Sequence, residues 1–578
     1  MVYASFALGA LNERLKREVK QMSNLLREAK PSKRSQFGLA VLSTTIKAAT
    51  VAMFGCALAV AAGTSADADT MTLTAPDTMM LTARSYSMPA GDHGVTNYGP
   101  VSQVARPPRR IPIGNAALSA LKAKAASYPA QLATTLSEVK SAAPSPKGLV
   151  GTCTLNSAVG FAPSDVHGAA SPSRLVETTN IEVGVYNIAG CGLVSKVPLK
   201  TFFGVTNANE TDFDPQTLYI RRYGRWFVTA ESENSVNHDQ FQYFAVSTDS
   251  NATAWRVYTI PLSSGASKFC KQAVTSFWDY PHAGESYNRI SITANDFGAS
   301  VTGAILSIDE IPTFSGGSVA VKCFAGLPFN LAAPIVLDTS ATSNFLSPGS
   351  GSGNTITSRV VTATGTASGS AGADTIAVGP SYAITAWTAP PNAPQPNGTT
   401  LDSLDGRFQS NSLQSRGFIW NIHTQNNGGR AAIKWFELLT GSSTVVKSAI
   451  FQTSSVDHLF NASITTGSGL QGAPGFINTS RTIPSIPTTG NAAMIEMYGL
   501  NNDTTAPNWT FSVAGTSTFQ FTGCSACRWG DYSSITVDPT NSGSAWGFNQ
   551  LVTGTSQFNW TTKAGKVNLN LLSAPVSN

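Results

Sequence analysis

Gln242–Leu262 reads QYFAVSTDSNATAWRVYTIPL, and Ala493–Val513 reads AMIEMYGLNNDTTAPNWTFSV. Both alternate as a strand, pass through a polar turn and resume as a strand, with an Asp six residues ahead of a Trp: Asp249 and Trp255, Asp503 and Trp509. Asp538 and Trp546 give a longer version of the same pattern. An Asp in a turn accepts hydrogen bonds from backbone amides just after it, and a following indole packs beneath the turn between neighbouring sheets. A hairpin that recurs so far apart in one chain is the mark of a repeated β unit.

Working outward from these hairpins, helix periodicity is absent beyond about residue 151. Fifteen short alternating runs follow one another, from Ile181–Tyr186 to Ala545–Leu551, each bounded by turn residues. Units of roughly 45–65 residues, each holding three or four strands, predict an all-β fold, a β-propeller of five to seven blades. A stacked array of β-sandwiches is the rival arrangement, and it would show less recurrence of the turn Asp and its Trp. Residues 339–378 are rich in Ser, Gly and Thr with little to bury, and read as a long loop inserted in the propeller. Closure is expected from a strand near 151–190 pairing with the last blade near 551, which removes a free sheet edge.

Ahead of the propeller the chain divides in two. Residues 1–68 read as a leader: Arg27–Lys47 is a basic region, Val51–Ala62 (VAMFGCALAVAA) an apolar run, and Ala66-Asp67-Ala68 an A-x-A cleavage site. Twelve apolar residues fall short of the roughly 20 that span a bilayer, so no membrane span is expected once the leader is removed. Residues 69–150, rich in Pro, Ala, Ser and Thr, read as a partly helical, partly disordered neck or pro-region, with one helical-looking stretch at Asn115–Ser141 broken near Pro129. The formal charge of +5 comes from the leader: the 38 basic and 33 acidic residues become 29 and 29 once nine basic and four acidic residues before Ala68 are set aside. The balanced remainder leaves no electrostatic footprint for nucleic acid.

Cys56 lies in the apolar run. The other six cysteines, an even number in an exported chain, read as disulfides with fifteen arrangements open. Proximity favours Cys153–Cys191, Cys270–Cys323 and Cys524–Cys527. The last pair has the C-x-x-C spacing of zinc and redox sites, but no further ligands cluster near it and no βαβ context surrounds it, so a small loop disulfide is the expectation.

Several segments resemble a group of secreted bacterial β-propellers distantly similar to the sialidase (BNR) superfamily. They are Phe213-Asp214-Pro215 with Leu218-Tyr219 and Gly224-Arg225-Trp226-Phe227, then Asp279-Tyr280-Pro281 and Ala294-Asn295 with Phe297. Leu404-Asp405 with Arg407 follows, and last comes Arg528-Trp529-Gly530-Asp531-Tyr532-Ser533 running on to Val537-Asp538-Pro539. The matches extend from about 170 to 552. The resemblance implies the propeller fold; its implication for catalysis is weaker, because Asn251 stands where a sialidase Asp-box has Gly and Trp255 arrives one residue late. A sialidase's three arginines with a Tyr–Glu pair are not recognisable either.

A glycosidase needs two carboxyl groups about 5–9 Å apart, one of them kept protonated. Asp214, Asp279, Asp405 and Asp531 each stand beside an aromatic residue or an arginine, and strand ends of a propeller converge on one channel mouth. Trp278, Tyr280, Trp529 and Tyr532 would supply flat surfaces for stacking sugar rings. The bland alternative is that these acids cap turns or pair with arginines between blades. Asp405-Gly406-Arg407 reads either as a clamp for an anionic ligand or as a tie between blades, and His282 as an acid/base or as a hydrogen-bonding residue of a turn. Glu210, Asp212 and Asp214 alternate along one strand, so their carboxylates share a face and are candidate ligands of a calcium ion. No other cofactor is implied, and no phosphate-binding glycine loop or nucleophile elbow is present. The reading is therefore an exported, monomeric propeller that binds an extracellular glycan or protein at one mouth of its channel. A sialidase-like glycoside hydrolase and an adhesion or envelope protein are the alternatives.

Overall fold

The computed structural model describes residues 77–94, 110–140, 147–159, 161–264, 267–271, 276–363, 373–506 and 508–569. The leader, Cys56 and the cleavage site lie outside them. Among the described residues no helix is long and apolar enough to cross a membrane.

Four-stranded antiparallel meanders follow one another around a ring. The first runs through His167–Ala170, Arg174–Thr178, Glu182–Asn187 and Leu193–Pro198, and the second through Glu210–Ile220, Arg225–Asn234, Gln240–Ser247 and Ala254–Ser264. The third is Trp278–Glu285, Arg289–Phe297, Val301–Asp309 and Val319–Leu327. The fourth is Ser412–Ser415, Phe418–Asn427, Arg430–Leu439 and Val445–Gln452, and the fifth His458–Thr466, Pro474–Thr482, Ala493–Leu500 and Thr510–Thr516. The sixth joins Ser534–Asp538, Asn541–Val552 and Asn559–Leu569 to Lys147–Val159. The ring is a β-propeller. By hydrogen bonding its meanders form five sheets, because the short strand Pro334–Val336 pairs in parallel with the innermost strands of meanders three and four and fuses them into one eleven-stranded sheet.

The two hairpins that open the sequence reading occupy the same place, the third and fourth strands of blades two and five. Asp249 Oδ1 accepts from the Asn251 amide at 3.0 Å and Asp503 Oδ1 from the Thr505 amide at 2.7 Å. Beneath them Trp255 packs with Phe202 at the boundary of blades one and two, and Trp509 with Trp435 and Phe451 at that of blades four and five. An indole burying on the order of 200 Å² gains about 5 kcal/mol at 25 cal/mol per Å², so each is a main tie between adjacent blades. Asp538 also caps its turn, through the Thr540 amide at 2.8 Å, but its hairpin joins the first two strands of blade six and is not the equivalent position.

The neck is more ordered than expected. Asp77–Leu81, Arg84–Ser87 and Gly91–Asp92 add edge strands to blades three, two and one in turn. Thr134–Thr135 and Ser137–Glu138 do the same for blades four and five, and Lys147–Val159 closes blade six against Asn559–Leu569. This last pairing is the expected closure. One arm thus reaches the outer edge of every blade, covering backbone groups that would otherwise template further strands. The expected helix at Asn115–Ser141 shrinks to Asn115–Ala123, since Thr134 to Glu138 spend their backbone groups on blade edges.

The insert also departs from expectation. Thr342–Ser347, Ser352–Thr362, Thr375–Val378 and Tyr382–Thr388 form a four-stranded sheet rather than a loop. It packs on blade four through Leu346, Ile356 and Tyr382 against Ile419, Phe436 and Leu438. The β-branched residues of Thr355-Ile356 and Val360-Val361-Thr362 outweigh the glycines around them. Asp374 pins it to blade three by accepting from Arg289 Nε at 2.7 Å and Nη2 at 2.8 Å. All three expected disulfides are present: Cys153–Cys191, Cys270–Cys323 and Cys524–Cys527.

Candidate functional site

At one end of the channel the first strands of the blades begin with irregular backbone. Asp165, Asp214, Tyr280 and Asn461 have φ of 46°, 50°, 67° and 52°, and Leu404, just ahead of blade four, has 60°. Asp and Asn tolerate this left-handed region; a Tyr or Leu is held there only by its surroundings, and such strain gathers at functional sites. Register breaks between Phe213 and Gln216, Asp279 and His282, and Phe460 and Ser463 accompany it.

The break at Asp214 decides which acids meet. An extra residue ends the alternation of Glu210, Asp212 and Asp214, and the Asp214 carboxylate joins Glu231 and Asp279 instead, one oxygen from each lying within 4.8 Å of the others. Asp214 and Glu231 are buried and Asp279 is half-buried. Carboxylates this close are held together by shared protons or by positive charge around them. Tyr532 donates its hydroxyl to Asp214 Oδ2 at 2.7 Å, and Asn180 Oδ1 accepts from the Asp214 amide at 2.7 Å. Glu210 instead accepts from Ser232 Oγ at 2.7 Å and the Tyr243 hydroxyl at 2.6 Å. Burial, and then Glu210 beside it, push the Asp212 carboxyl well above the usual range. Among the described residues Asp214 is grouped with Glu231 and Asp279 rather than with Glu210 and Asp212.

The other expected residues divide differently. Asp405 forms a buried ion pair with Arg407, Oδ1 to Nε 2.7 Å, and also accepts from Ser350 of the insert. The Arg407 guanidinium lies 4.2 Å from the Tyr280 ring centre and donates to the Arg110 carbonyl at 3.4 Å. Burial works against its charge, but Asp405 and Tyr280 hold its pKa above the ordinary value. This is the tie between elements, not a free anion clamp. Asp531 pairs with Arg528 at 3.0 Å, and its amide donates to Asp165 Oδ1 at 2.7 Å.

The four aromatic residues are not open platforms. Trp278 lies in the core between blades two and three with Nε1 donating to Gln242 at 2.9 Å, and Trp529 is 1 % exposed and donates to Ser480 Oγ. Tyr280 and Tyr532 stack on each other, centroids 4.9 Å apart, and Tyr280 donates to the carbonyls of Phe408 and Asp531. Packing of these rings leaves no face for a sugar. His282 stands edge-on to both tyrosines; burial, then His167 and Arg407, push it down to about 3, so it is neutral at physiological pH.

Asp165, Asn180, Glu231 and Asn461 belong to this end of the channel without having been singled out in the sequence. A faint signal exists: the positive-φ residues Asp165, Asp214 and Tyr280 each stand two residues ahead of a His or Gln, at His167, Gln216 and His282. The arm reaches this end too, where the Arg110 guanidinium lies 4.9 Å from the Phe277 ring, itself stacked on Phe213 at 5.9 Å.

The sequence matches no family model and no curated protein. Solved structures similar to it include a subtype N10 neuraminidase-like protein of A/little yellow-shouldered bat/Guatemala, 8% identical over 61% of this chain and 99% of that one, TM-score 0.32. A Fusarium graminearum α-L-arabinofuranosidase in complex with an iminosugar inhibitor is 9% identical over 76% and 98%, TM-score 0.32. The polysaccharide lyase Uly1 is 10% identical over 76% and 98%, TM-score 0.34. Likeness at this level assigns neither family nor activity.

Proposed function

We propose that the chain is an exported propeller that binds a glycan at the channel end bearing Asp214, Glu231 and Asp279. The convergence of these three carboxylates from two blades carries the reading. An all-oxygen acceptor set takes the hydroxyls of a sugar, and it suits a hard cation such as calcium that would bridge carboxylates and sugar oxygens. Three disulfides accord with an oxidising compartment outside the cell.

Glycoside hydrolysis is the second reading, favoured by the approach of Asp214 and Asp279, which bring carboxylate oxygens within 4.8 Å of each other. Retaining enzymes place their carboxyl groups about 5–5.5 Å apart, and Tyr532 fixes one of this pair. The test is a glycan-array screen of the purified 69–578 chain with and without calcium, followed by hydrolysis assays on every hit. A hit that survives in Asp405→Asn but is lost in Asp279→Asn supports the binding reading, and released sugar supports hydrolysis. No hit under either condition overturns both.

A further inference from the structure

The first strands that carry Asp214 and Asp279 end in a different chemistry. Arg221 follows directly on Glu210–Ile220, and Glu285 is the last residue of Trp278–Glu285. At about 3.3 Å per residue, they stand roughly 20 Å from Asp214 and Asp279, at the other end of the channel. A cavity opens there, with Arg221 and Glu285 in its wall. Leu218, Ile335, Leu337, Leu413, Ile535 and Val537 supply most of the remainder.

The two charges share this cavity without pairing. Among the described residues, Arg221 spends one hydrogen bond on the Val537 carbonyl, Nη2 to O 2.8 Å, and forms no ion pair with Glu285. Among the described residues the half-buried Glu285 carboxylate accepts no hydrogen bond, and Arg222 beside it is engaged by Glu310 at 2.8 Å. Burial pushes Glu285 up to about 7, with Arg222 and Arg221 opposing, so much of it is ionised at neutral pH. A carboxylate and a guanidinium held apart over an apolar wall match a molecule that carries both charges on an apolar body.

We propose that this cavity binds a zwitterionic apolar ligand of the amino-acid or dipeptide class, its ammonium on Glu285, its carboxylate on Arg221 and its side chains against Ile335, Leu337 and Leu413. The site lies apart from the acidic cluster and does not depend on what that cluster binds.

Calorimetric titration of the full chain with leucyl-leucine, its C-terminal amide and its N-acetyl derivative tests the assignment. The zwitterion is expected to bind at least tenfold more tightly than either blocked form. Glu285→Gln is expected to weaken the zwitterion tenfold and leave the N-acetyl form unchanged. Arg221→Gln is expected to weaken the zwitterion and leave the amide unchanged. Equal binding of all three probes, or no saturable binding of any, overturns the proposal, and the blocked probes give that answer without a variant.

Discussion

Asp405→Ala removes the carboxylate that pairs with Arg407, a guanidinium 1 % exposed beneath Tyr280. Arg407 would keep its contact with the Tyr280 ring and the Arg110 carbonyl, neither of which neutralises it. Stranding one member of a buried ion pair costs about 3–5 kcal/mol. For a cooperative unit of about 450 residues the unfolding entropy is roughly 1 kcal/mol/K, so the melting temperature should fall by about 3–5 °C. Asp405→Ala with Arg407→Met removes both charges and should recover at least half of that loss in a thermal melt followed by circular dichroism. Glycan binding at the acidic cluster should persist in the single variant below its melting temperature. An unchanged melting temperature together with lost binding would refute the reasoning and make Asp405 a ligand group.

Burial raises Glu177 to about 8 and Glu182 to about 7 from an ordinary 4.5, so stability from both is full below pH 4.5 and is lost as pH rises toward 7–8. Glu177→Gln should flatten the fall of denaturation midpoint between pH 5 and 8, by up to about 1.4 kcal/mol per pH unit. His167 and His423, lowered to about 4, act oppositely: their contribution is lost as pH falls from 6.5 toward 4, and His423→Gln should reduce acid sensitivity in the same measurement. Replacing Cys270 and Cys323 by serine opens a loop of separation 53 and should cost about 4 kcal/mol, against about 2 for Cys524 and Cys527, read from urea midpoints. A chain beginning at residue 161 lacks the arm strand on every blade and should aggregate on refolding, which light scattering would detect.

All fifteen runs read from alternation overlap strands, whereas five of the six innermost strands were not among those runs. His167–Ala170, Glu210–Ile220, Trp278–Glu285, Ser412–Ser415 and His458–Thr466 line the channel, so they carry polar residues such as His167, Gln216 and Ser463 where a core strand would be apolar. Prolines at 215 and 281 and the register breaks beside them further blur the period of two. The same breaks explain the site. Asp214 and Asp279 were legible as acids beside aromatic residues, but Glu231 was not singled out, and the bulge at Asp214 is what brings the three together. Trp278 and Trp529 were misread because a large aromatic beside an acid looks the same in a core as in a binding cleft. Apart from the closing strand Lys147–Val159, the arm escaped notice because its strands are only two to five residues long and their pairing depends on blades far away in the sequence.

The most direct test is titration of the best array hit into the wild-type chain and into Asp279→Asn, the half-buried member of the cluster. The account predicts saturable binding to the wild type, a loss of tenfold or more in the variant, and an unchanged melting temperature. Equal affinity in the two proteins would place the ligand elsewhere and contradict the assignment of this end of the channel.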